Sequence, residues 1–410
     1  MTTASNQLRI AIIAHSLFPI AEPFAGGLEM ITQLICNQLV AMGHEVTLFA
    51  HADSQTKATL VPLLSREAVA ELVAEGEHEQ FEMTPEEVYQ HLTYQVAMRD
   101  ILERDRAEPF DVIHNHSLHH VPMLMGQAFG KRFFTTFHTP NLPQLKLALL
   151  TLQLGTVTQF TAVSKHQQQV FAPFVPSAVV YNGIEVENFT AQTARVADEV
   201  YFWFGRICPE KGTHLAMEYC KAAKKRLIIA GPKSNEAYFK EKVAPLLAAD
   251  GQNGSPNYFD YVGHLTKSQI NRYLNQASAM LFTSTWDEPY GLTLAESLAC
   301  GTPVIGFDVG ASAEIITKNT GIIVPKLDKE AFIAAFDKVN RISRFECRRR
   351  AEEFCSVAAM VNGYLQLYSQ VNQDALVKDA LKGSSATKKI NKVAMLPKNL
   401  QQPNLVAALG

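Results

Sequence analysis

The sequence lacks a net positive charge, a membrane-length apolar run and paired cysteines. Its 37 Lys and Arg residues are set against 40 Asp and Glu, for a net charge of −3, so no chain-wide basic field is available to hold a nucleic-acid backbone. No stretch reaches the roughly 18 apolar residues of a membrane span. The six cysteines never form Cys-x-x-Cys, which argues against a zinc knuckle or a disulfide framework. These absences predict a cytoplasmic protein with reduced thiols and no nucleic-acid partner.

Two ligand signatures are also missing. The first predicted strand is not followed by Gly-x-Gly-x-x-Gly, so Asp53 after the second strand does not indicate a nicotinamide site. No Asp-x-Asp metal motif follows the predicted strands. The sequence therefore predicts no resident cofactor and no metal.

What is present is a regular alternation of strands and helices. The 410 residues are 47% hydrophobic and 19% charged, which is typical of a folded protein with two or three domains. The first series of predicted strands lies at 8–14, 45–50, 111–114, 132–137, 159–163 and 178–181. The second lies at 200–204, 226–230, 258–262, 279–283 and 303–306. Such repeats predict two doubly wound, parallel α/β sheets, with ligands bound at the carboxyl ends of the strands in a cleft between them.

The pattern divides the chain into four parts. We predict an amino-terminal Rossmann-like domain at 1–184, a second at 199–355, a helix at 356–373 that packs back on the first domain, and a tail at 374–410. Residues 378–410 contain six Lys and one Asp, which predicts a disordered tail, with contact to an anionic membrane surface as the alternative.

The strongest motif runs from Asp287 to Ile305. A strand ends near Thr283, a Pro/Gly turn follows, and a helix begins at about Gly291, whose amino-terminal amides favour a phosphate or a sugar hydroxyl oxygen. Glu288 lies in the turn and Glu296 one turn inside the helix. Two carboxylates repel a bare phosphate but accept hydrogen bonds from a vicinal diol, so the motif indicates a ligand that carries both groups.

Two further sets of residues follow predicted strands. Arg206 and Lys211 lie on the loop after the strand at 200–204, where two cations would neutralise a diphosphate leaving group. In the first half, His114 and His116 end one strand and His138 and Thr139 end another, at the same predicted edge as Gly26 and Gly27. Loops that share one edge of a sheet favour a joint site.

Taken together, these motifs resemble glycosyltransferase family 4, whose members are retaining enzymes of the GT-B fold. The resemblance extends from about Ile10 to Tyr368. It rests on the order and spacing of the Gly26-Gly27-x-Glu29 loop, Gly43-His44-x-Val46, Asp111 to His116, Phe137-His138-Thr139, Asn182-Gly183-Ile184, Gly205-Arg206 with Lys211-Gly212, and Glu288-x7-Glu296 followed by Gly-Thr-Pro-Val-Ile.

The resemblance implies a role for each motif. In the donor site, Arg206 and Lys211 would hold the diphosphate, Glu296 the ribose, and Glu288 the transferred sugar. The other donor-binding residues implied are Gly26, Gly27, Tyr290, Gly291, Leu292 and Thr293, largely through backbone amides. His116 would line the reacting face of the sugar, although His114 is only two residues away. His138 and Thr139 would lie on the acceptor side.

The implied reaction moves a hexose from a nucleotide sugar, most simply UDP-glucose or another UDP-hexose, to an acceptor hydroxyl with retention and without a metal. Acceptor recognition would use Ser16–Phe24 and 141–155, the latter being a core-packed helix, an apolar acceptor wall or a weak membrane contact. The insertion at 66–106 resembles a lid or a solvated helical pair. A nucleotide-sugar epimerase and a non-catalytic nucleotide-sugar-binding protein are the alternatives. The sequence does not show whether the acceptor is a sugar, a lipid-linked sugar or a small molecule.

Overall fold

The structure is a computed structural model that describes residues 7–75, 83–140, 143–194, 199–252 and 256–383. Residues up to Tyr368 form one compact unit that contains both sheets, and a second unit begins at Ser369. None of the helices in these described ranges is long and apolar enough to cross a bilayer. All six cysteines are buried and unbonded to one another.

The first sheet contains seven parallel strands. They are β1 (Arg9–Ile13), β2 (Glu45–Ala50), β3 (Thr59–Pro62), β4 (Val112–Asn115), β5 (Phe133–Phe137), β6 (Gln159–Ala162) and β7 (Ala178–Val179), in the spatial order β3-β2-β1-β4-β5-β6-β7. The connecting helices are α1 (Gly27–Ala41), α2 (Arg66–Glu75), α3 (Pro85–Ala107), α4 (His120–Met125), α5 (Pro143–Leu152) and α6 (Lys165–Phe171). Helices on both faces bury the central strands, which explains their nearly continuous apolar sequences.

The second sheet contains six parallel strands. They are β8 (Val200–Phe204), β9 (Arg226–Ala230), β10 (Phe259–Tyr261), β11 (Ala279–Phe282), β12 (Val304–Phe307) and β13 (Gly321–Val324), in the spatial order β10-β9-β8-β11-β12-β13. Its helices are α7 (Thr213–Ala222), α8 (Glu236–Tyr238), α9 (Ala244–Ala248), α10 (Lys267–Gln276), α11 (Leu292–Ala299), α12 (Ser312–Ile315), α13 (Lys329–Val339) and α14 (Arg344–Phe354). Central β8 and β11 place their carboxyl ends side by side, so the loops that follow them meet.

The chain passes between the two sheets twice, at adjacent points. The amide of Ile184 donates to the carbonyl of Cys355 at 2.8 Å, and the amide of Val357 donates to the carbonyl of Ile184 at 3.0 Å. The last helix, α15 (Val357–Gly383), then returns to the first domain. There Tyr368 and Tyr364 are fully buried, and the Tyr368 hydroxyl lies 2.5 Å from His114 Nδ1.

The sequence patterns missed two strands. They are β3, an edge strand of the first sheet, and β13, an edge strand of the second. Strand β3 has four residues, and none of them is fully buried, so its apolar pattern is weak. The carboxyl-terminal segment also differs from the expectation, because α15 continues to Gly383 and residues 374–383 are therefore helical. Ala, Leu and Lys dominate this stretch before the glycine, and all three favour helix. The rest of the predicted tail, 384–410, lies outside the described residues.

Candidate functional site

The loop that carries Lys211 is fixed to the end of β11. Thr283 Oγ1 donates to the carbonyl of Gly212 at 2.9 Å and accepts from Trp203 Nε1 at 3.0 Å. The amide of Thr285 donates to the carbonyl of Glu210 at 2.8 Å. These hydrogen bonds hold the loops after β8 and β11 in a fixed relation, although they are about seventy residues apart in the chain.

This arrangement forms an ion pair between Lys211 Nζ and Glu288 Oε1. Glu288 is nine-tenths buried, and its Oε1 also accepts a hydrogen bond from Ser284 Oγ at 3.1 Å. The sequence assigned Lys211 and Glu288 separate contacts with a ligand, whereas the structure joins them. A cation and a carboxylate held together at the edge of a cleft can bind a phosphate and a hydroxyl on adjacent sides.

Arg206 occupies a more open position. Its side chain is 60% exposed, and its Nη2 lies 3.6 Å from Glu210 Oε1. An exposed pair of this kind contributes little stability and is easily exchanged for another partner. The structure therefore leaves Arg206 available at the rim, while Lys211 lies deeper beside Glu288.

A glycine on the neighbouring loop supports the Glu288 turn. Gly310 follows β12 with φ +54°, and a methyl group on it would lie 2.1 Å from the carbonyl oxygen and 2.4 Å from the amide nitrogen of Glu288. The next amide, from Ala311, donates to the Glu288 carbonyl at 3.0 Å. Sequence reasoning missed Gly310, although its position after a strand next to β11 was a usable signal.

Two helix amino termini meet beside this turn. Gly291 caps α11, and the first residue of that helix, Leu292, faces the first residue of α1, Gly27. A methyl group on Gly27 would lie 2.6 Å from Leu292 Cδ1. Gly26, the cap of α1, and Thr293 flank this contact. Since the first amides of each helix have no intrahelical acceptor, both termini favour an anion at this point.

Tyr290 and Glu296, the remaining residues that the sequence predicted for the donor site, are more buried than Arg206. The side chain of Tyr290 is buried and its ring approaches Tyr181, so this residue would face a ligand through its backbone. Glu296 is half-buried on α11. Burial raises the pKa of Glu296 to about 7, and Lys267 only partly opposes that rise.

This raised pKa predicts a pH-dependent stability. The folded protein holds the Glu296 proton more tightly than the unfolded chain does, so the stabilisation is complete below the usual carboxyl pKa of 4.5 and is lost as the pH rises through about 7. A Glu296→Gln variant, which cannot ionise, should match the wild type at pH 4.5 and exceed it by up to about 3 kcal/mol at pH 8.5. Melting temperatures across this range test the prediction.

The exposed Glu241 provides the control on the same domain. Glu241→Gln should follow the wild-type pH profile throughout. A Glu296→Gln advantage that stays constant from pH 4.5 to 8.5 would contradict an elevated Glu296 pKa.

The histidines of the first domain separate into two roles. Both ring nitrogens of His114 have hydrogen-bond partners. Its Nδ1 faces the Tyr368 hydroxyl, and its Nε2 lies 2.7 Å from Thr136 Oγ1. His116 Nδ1 lies 2.7 Å from His138 Nε2, and within the described residues the buried His116 Nε2 has no hydrogen-bond partner. Burial, with His114 and His138 nearby, lowers the pKa of His116 well below its usual value, and burial lowers that of His138 to about 3. His116, not His114, therefore keeps a free neutral nitrogen.

His138 and Thr139 line a small cavity at the end of β5, whose wall also includes Asn115 and His119. Thr139 Oγ1 donates to the carbonyl of Pro140 at 3.3 Å. The sequence placed His138 and Thr139 together, and the structure does so too, but it adds His119 to the same wall.

Glu314 joins the two domains and was also missed from the sequence. Its carboxylate accepts the amides of Lys165 and His166, each at 2.8 Å, and the Tyr181 hydroxyl at 2.8 Å. A carboxylate at a helix amino terminus is favourable, and here it comes from α12 of the other domain. Nothing in the local sequence around Glu314 predicts this partner.

Comparison with protein families identifies the chain. Residues 186–354 match the model described as glycosyl transferases group 1, and residues 25–188 match that described as glycosyltransferase family 4. The two matches follow one another through both domains. The chain belongs to glycosyltransferase family 4. The predicted GT-B fold is confirmed by the two parallel-sheet domains and by the structures that resemble them.

Relatives of this glycosyltransferase are distant. It is 22% identical to spore coat protein SA of Bacillus subtilis over 88% of the chain and 100% of the relative. It is 26% identical to GDP-mannose:cellobiosyl-diphosphopolyprenol alpha-mannosyltransferase of Xanthomonas campestris over 59% of the chain and 68% of that enzyme. A structure from Anabaena, solved with UDP and glucose, superposes with a TM-score of 0.63 at 15% identity, over 89% of this chain and all of the other.

Proposed function

We propose that this glycosyltransferase moves a hexose from a UDP-sugar to an acceptor hydroxyl, with retention of configuration and without a metal. The observation that carries the proposal is the Lys211–Glu288 pair at the mouth of α11, beside the meeting of two helix amino termini. The similar Anabaena structure was solved with UDP and glucose, which supports a uridine donor.

The charges suit a diphosphate sugar. Lys211 and the two helix termini present positive charge to the diphosphate, and Arg206 can turn from its weak surface pair to join them. This fixed charge would stabilise the departing nucleoside diphosphate and supply what a divalent metal supplies elsewhere.

Glu288 would accept hydrogen bonds from hydroxyls of the transferred sugar, since an ionised carboxylate offers acceptors only. It shares Lys211 with the diphosphate, so sugar and phosphate recognition are coupled at one pair of side chains. Glu296, one turn further along α11, would accept the ribose hydroxyls in its ionised form.

His116 is proposed to face the reacting sugar. Its buried Nε2 has no hydrogen-bond partner among the described residues, and neutral imidazole can donate to or accept from a hydroxyl without adding charge. For the chemical step we propose front-face displacement, in which the leaving phosphate oxygen takes the proton of the acceptor hydroxyl as the new glycosidic bond forms. The proposed retention requires that the product keep the anomeric configuration of the donor, which NMR of the product would determine.

The experiment is a thermal-shift panel in EDTA with UDP, GDP, ADP and their hexose conjugates, on wild type and Glu288→Gln. A ligand at 100 times its dissociation constant stabilises a protein by about 2.7 kcal/mol. Wild type should respond most strongly to one sugar nucleotide. Glu288→Gln should bind the bare nucleotide at least as well, because Lys211 is no longer shared, but should lose the additional shift from the sugar.

The exposed-site variant Glu241→Gln is the matched control and should behave as wild type. If no nucleotide raises the melting temperature, the proposal that Arg206 and Lys211 bind the diphosphate is wrong. Incubating the selected donor alone then separates the alternatives, since an epimerase would convert it without an acceptor and a non-catalytic binder would leave it intact even with acceptors present.

A further inference from the structure

Three histidines lie together in the amino-terminal domain, outside the donor site. His91 comes from the middle of α3, while His119 caps α4 and His120 is the first residue of that helix. One ring nitrogen from each of the three lies within 4.8 Å of the other two. Within the described ranges, no other group of three His, Cys, Asp or Glu side chains has this spacing.

The hydrogen bonding of these rings is incomplete. His91 Nδ1 and His120 Nδ1 are both buried, and neither has a partner among the described residues. Buried polar atoms in folded proteins are nearly always bonded, so two such nitrogens in one cluster call for a ligand or an ion. His119 Nδ1 accepts a hydrogen bond of 3.2 Å from the amide of Val121.

The rings are also arranged as a group. His119 and His120 are stacked with their centroids 4.3 Å apart, and His91 lies 5.3 Å from His120 and 5.9 Å from His119. Tyr94, one turn of α3 beyond His91, packs 4.9 Å from His119. Its hydroxyl donates to the carbonyl of Ala14 at 3.1 Å, which fixes α3 against the loop after β1.

We propose that His91, His119 and His120 bind one transition-metal ion of the Zn²⁺ class, which clips α3 to the start of α4. Neutral imidazole is the commonest protein ligand for such ions, and three imidazoles form an established zinc ligand set with one position left for water. A tetrahedral ion with Zn–N bonds of about 2.0–2.1 Å holds its ligands about 3.3 Å apart. The three ring nitrogens, which lie within 4.8 Å of one another, would have to approach by up to about 1.5 Å to bind such an ion.

The clip assigns a role to part of the insertion at 66–106, for which the sequence offered only a lid or a solvated helical pair. Tyr94 already joins α3 to the carboxyl edge of the first sheet, and the ion would add a second link there through His91. His119 also lines the cavity next to His138 and Thr139, so the ion would stabilise the wall of that cavity. It would have no contact with Lys211 or Glu288, and the transfer chemistry proposed above does not use it.

The test uses the full chain without an affinity tag, stripped with EDTA and dialysed. After incubation with ZnCl₂ and gel filtration, the wild type should retain one zinc per chain by elemental analysis. Zinc should raise the melting temperature, and EDTA should reverse the rise. The double variant His91→Gln/His120→Gln should retain at least tenfold less zinc, whereas His264→Gln, at an exposed position of the other domain, should retain as much as the wild type.

A second readout covers the case in which the double variant fails to fold. Co²⁺ bound by the wild type should give the intense visible absorption of tetrahedral coordination, and Zn²⁺ should displace it. Zinc lost on gel filtration, zinc retained equally by the folded double variant, or a Co²⁺ spectrum of only octahedral type would each overturn the proposal. The nucleotide panel is run in EDTA and does not depend on this metal site. The metal proposal and the transferase proposal can therefore fail independently of each other.

Discussion

Replacing Lys211 by alanine should reduce sugar transfer by about 100- to 1000-fold, the loss that follows removal of one fixed group that stabilises developing charge. Lys211 is the cation that lies deepest at the end of β8, and it is joined to Glu288 and positioned through Thr283. Its loss removes charge from the leaving diphosphate and also leaves the largely buried Glu288 carboxylate without its cation. Initial rates of transfer at saturating donor measure the effect.

Two controls interpret that loss. Lys326→Ala, which removes an exposed cation from the same domain, should retain the wild-type rate. Arg206→Ala should lose less than Lys211→Ala, because Arg206 is largely exposed and its position is less fixed. A Lys211→Ala variant that transfers sugar within threefold of wild type would show that the ion pair is structural and that another group stabilises the leaving nucleotide.

Gly310→Ala should be strongly destabilising, with a loss of about 4 kcal/mol or more. The new methyl group would overlap the backbone of Glu288, and backbone atoms cannot move aside as a flexible side chain can. The Glu288 turn would shift, so the variant should also lose the preference for a sugar nucleotide over the bare nucleotide. Melting temperature and the nucleotide panel measure the two effects.

Gly263→Ala separates backbone strain from steric overlap. Gly263 has φ +79°, in the same left-handed region, but a methyl group on it meets no atom within 4 Å. It should therefore cost only the intrinsic strain of a left-handed non-glycine residue, about 1–2 kcal/mol, and leave donor preference unchanged. Equal melting temperatures for the two variants would mean that the Gly310 loop moves freely and does not support Glu288.

Local sequence predicted most strands of the two sheets. The buried strand β8 is apolar throughout and β1 is apolar after Arg9, because helices cover both faces of a parallel sheet, and that signal depends only on neighbouring residues. Edge strand β3 lacks this signal, because it is only partly buried, whereas β13 is apolar but only four residues long. The helix at 374–383 was not predicted, because lysine-rich segments are also typical of disordered tails.

The candidate site was determined by the sequence only in part. Strand ends of a parallel sheet share one edge, so the sequence predicted that Lys211 and Glu288 lie at one edge of the second sheet, and His116 and His138 at one edge of the first. Their direct partners were not predictable in this way. The Lys211–Glu288 pair joins residues 77 apart, and the choice between His114 and His116 depended on Tyr368, 254 residues beyond His114.

By itself, then, the sequence determined two parallel-sheet domains, the strand ends at which the candidate residues lie and the family to which the chain belongs, because strand periodicity and motif spacing are local properties. The tertiary structure alone decided that Lys211 shares its charge with Glu288, that Gly310 supports the Glu288 turn, that Glu314 caps a helix of the other domain and that His91 meets His119 and His120. Each of these contacts depends on how side chains or backbones from distant segments pack against one another, and no local sequence pattern encodes such packing.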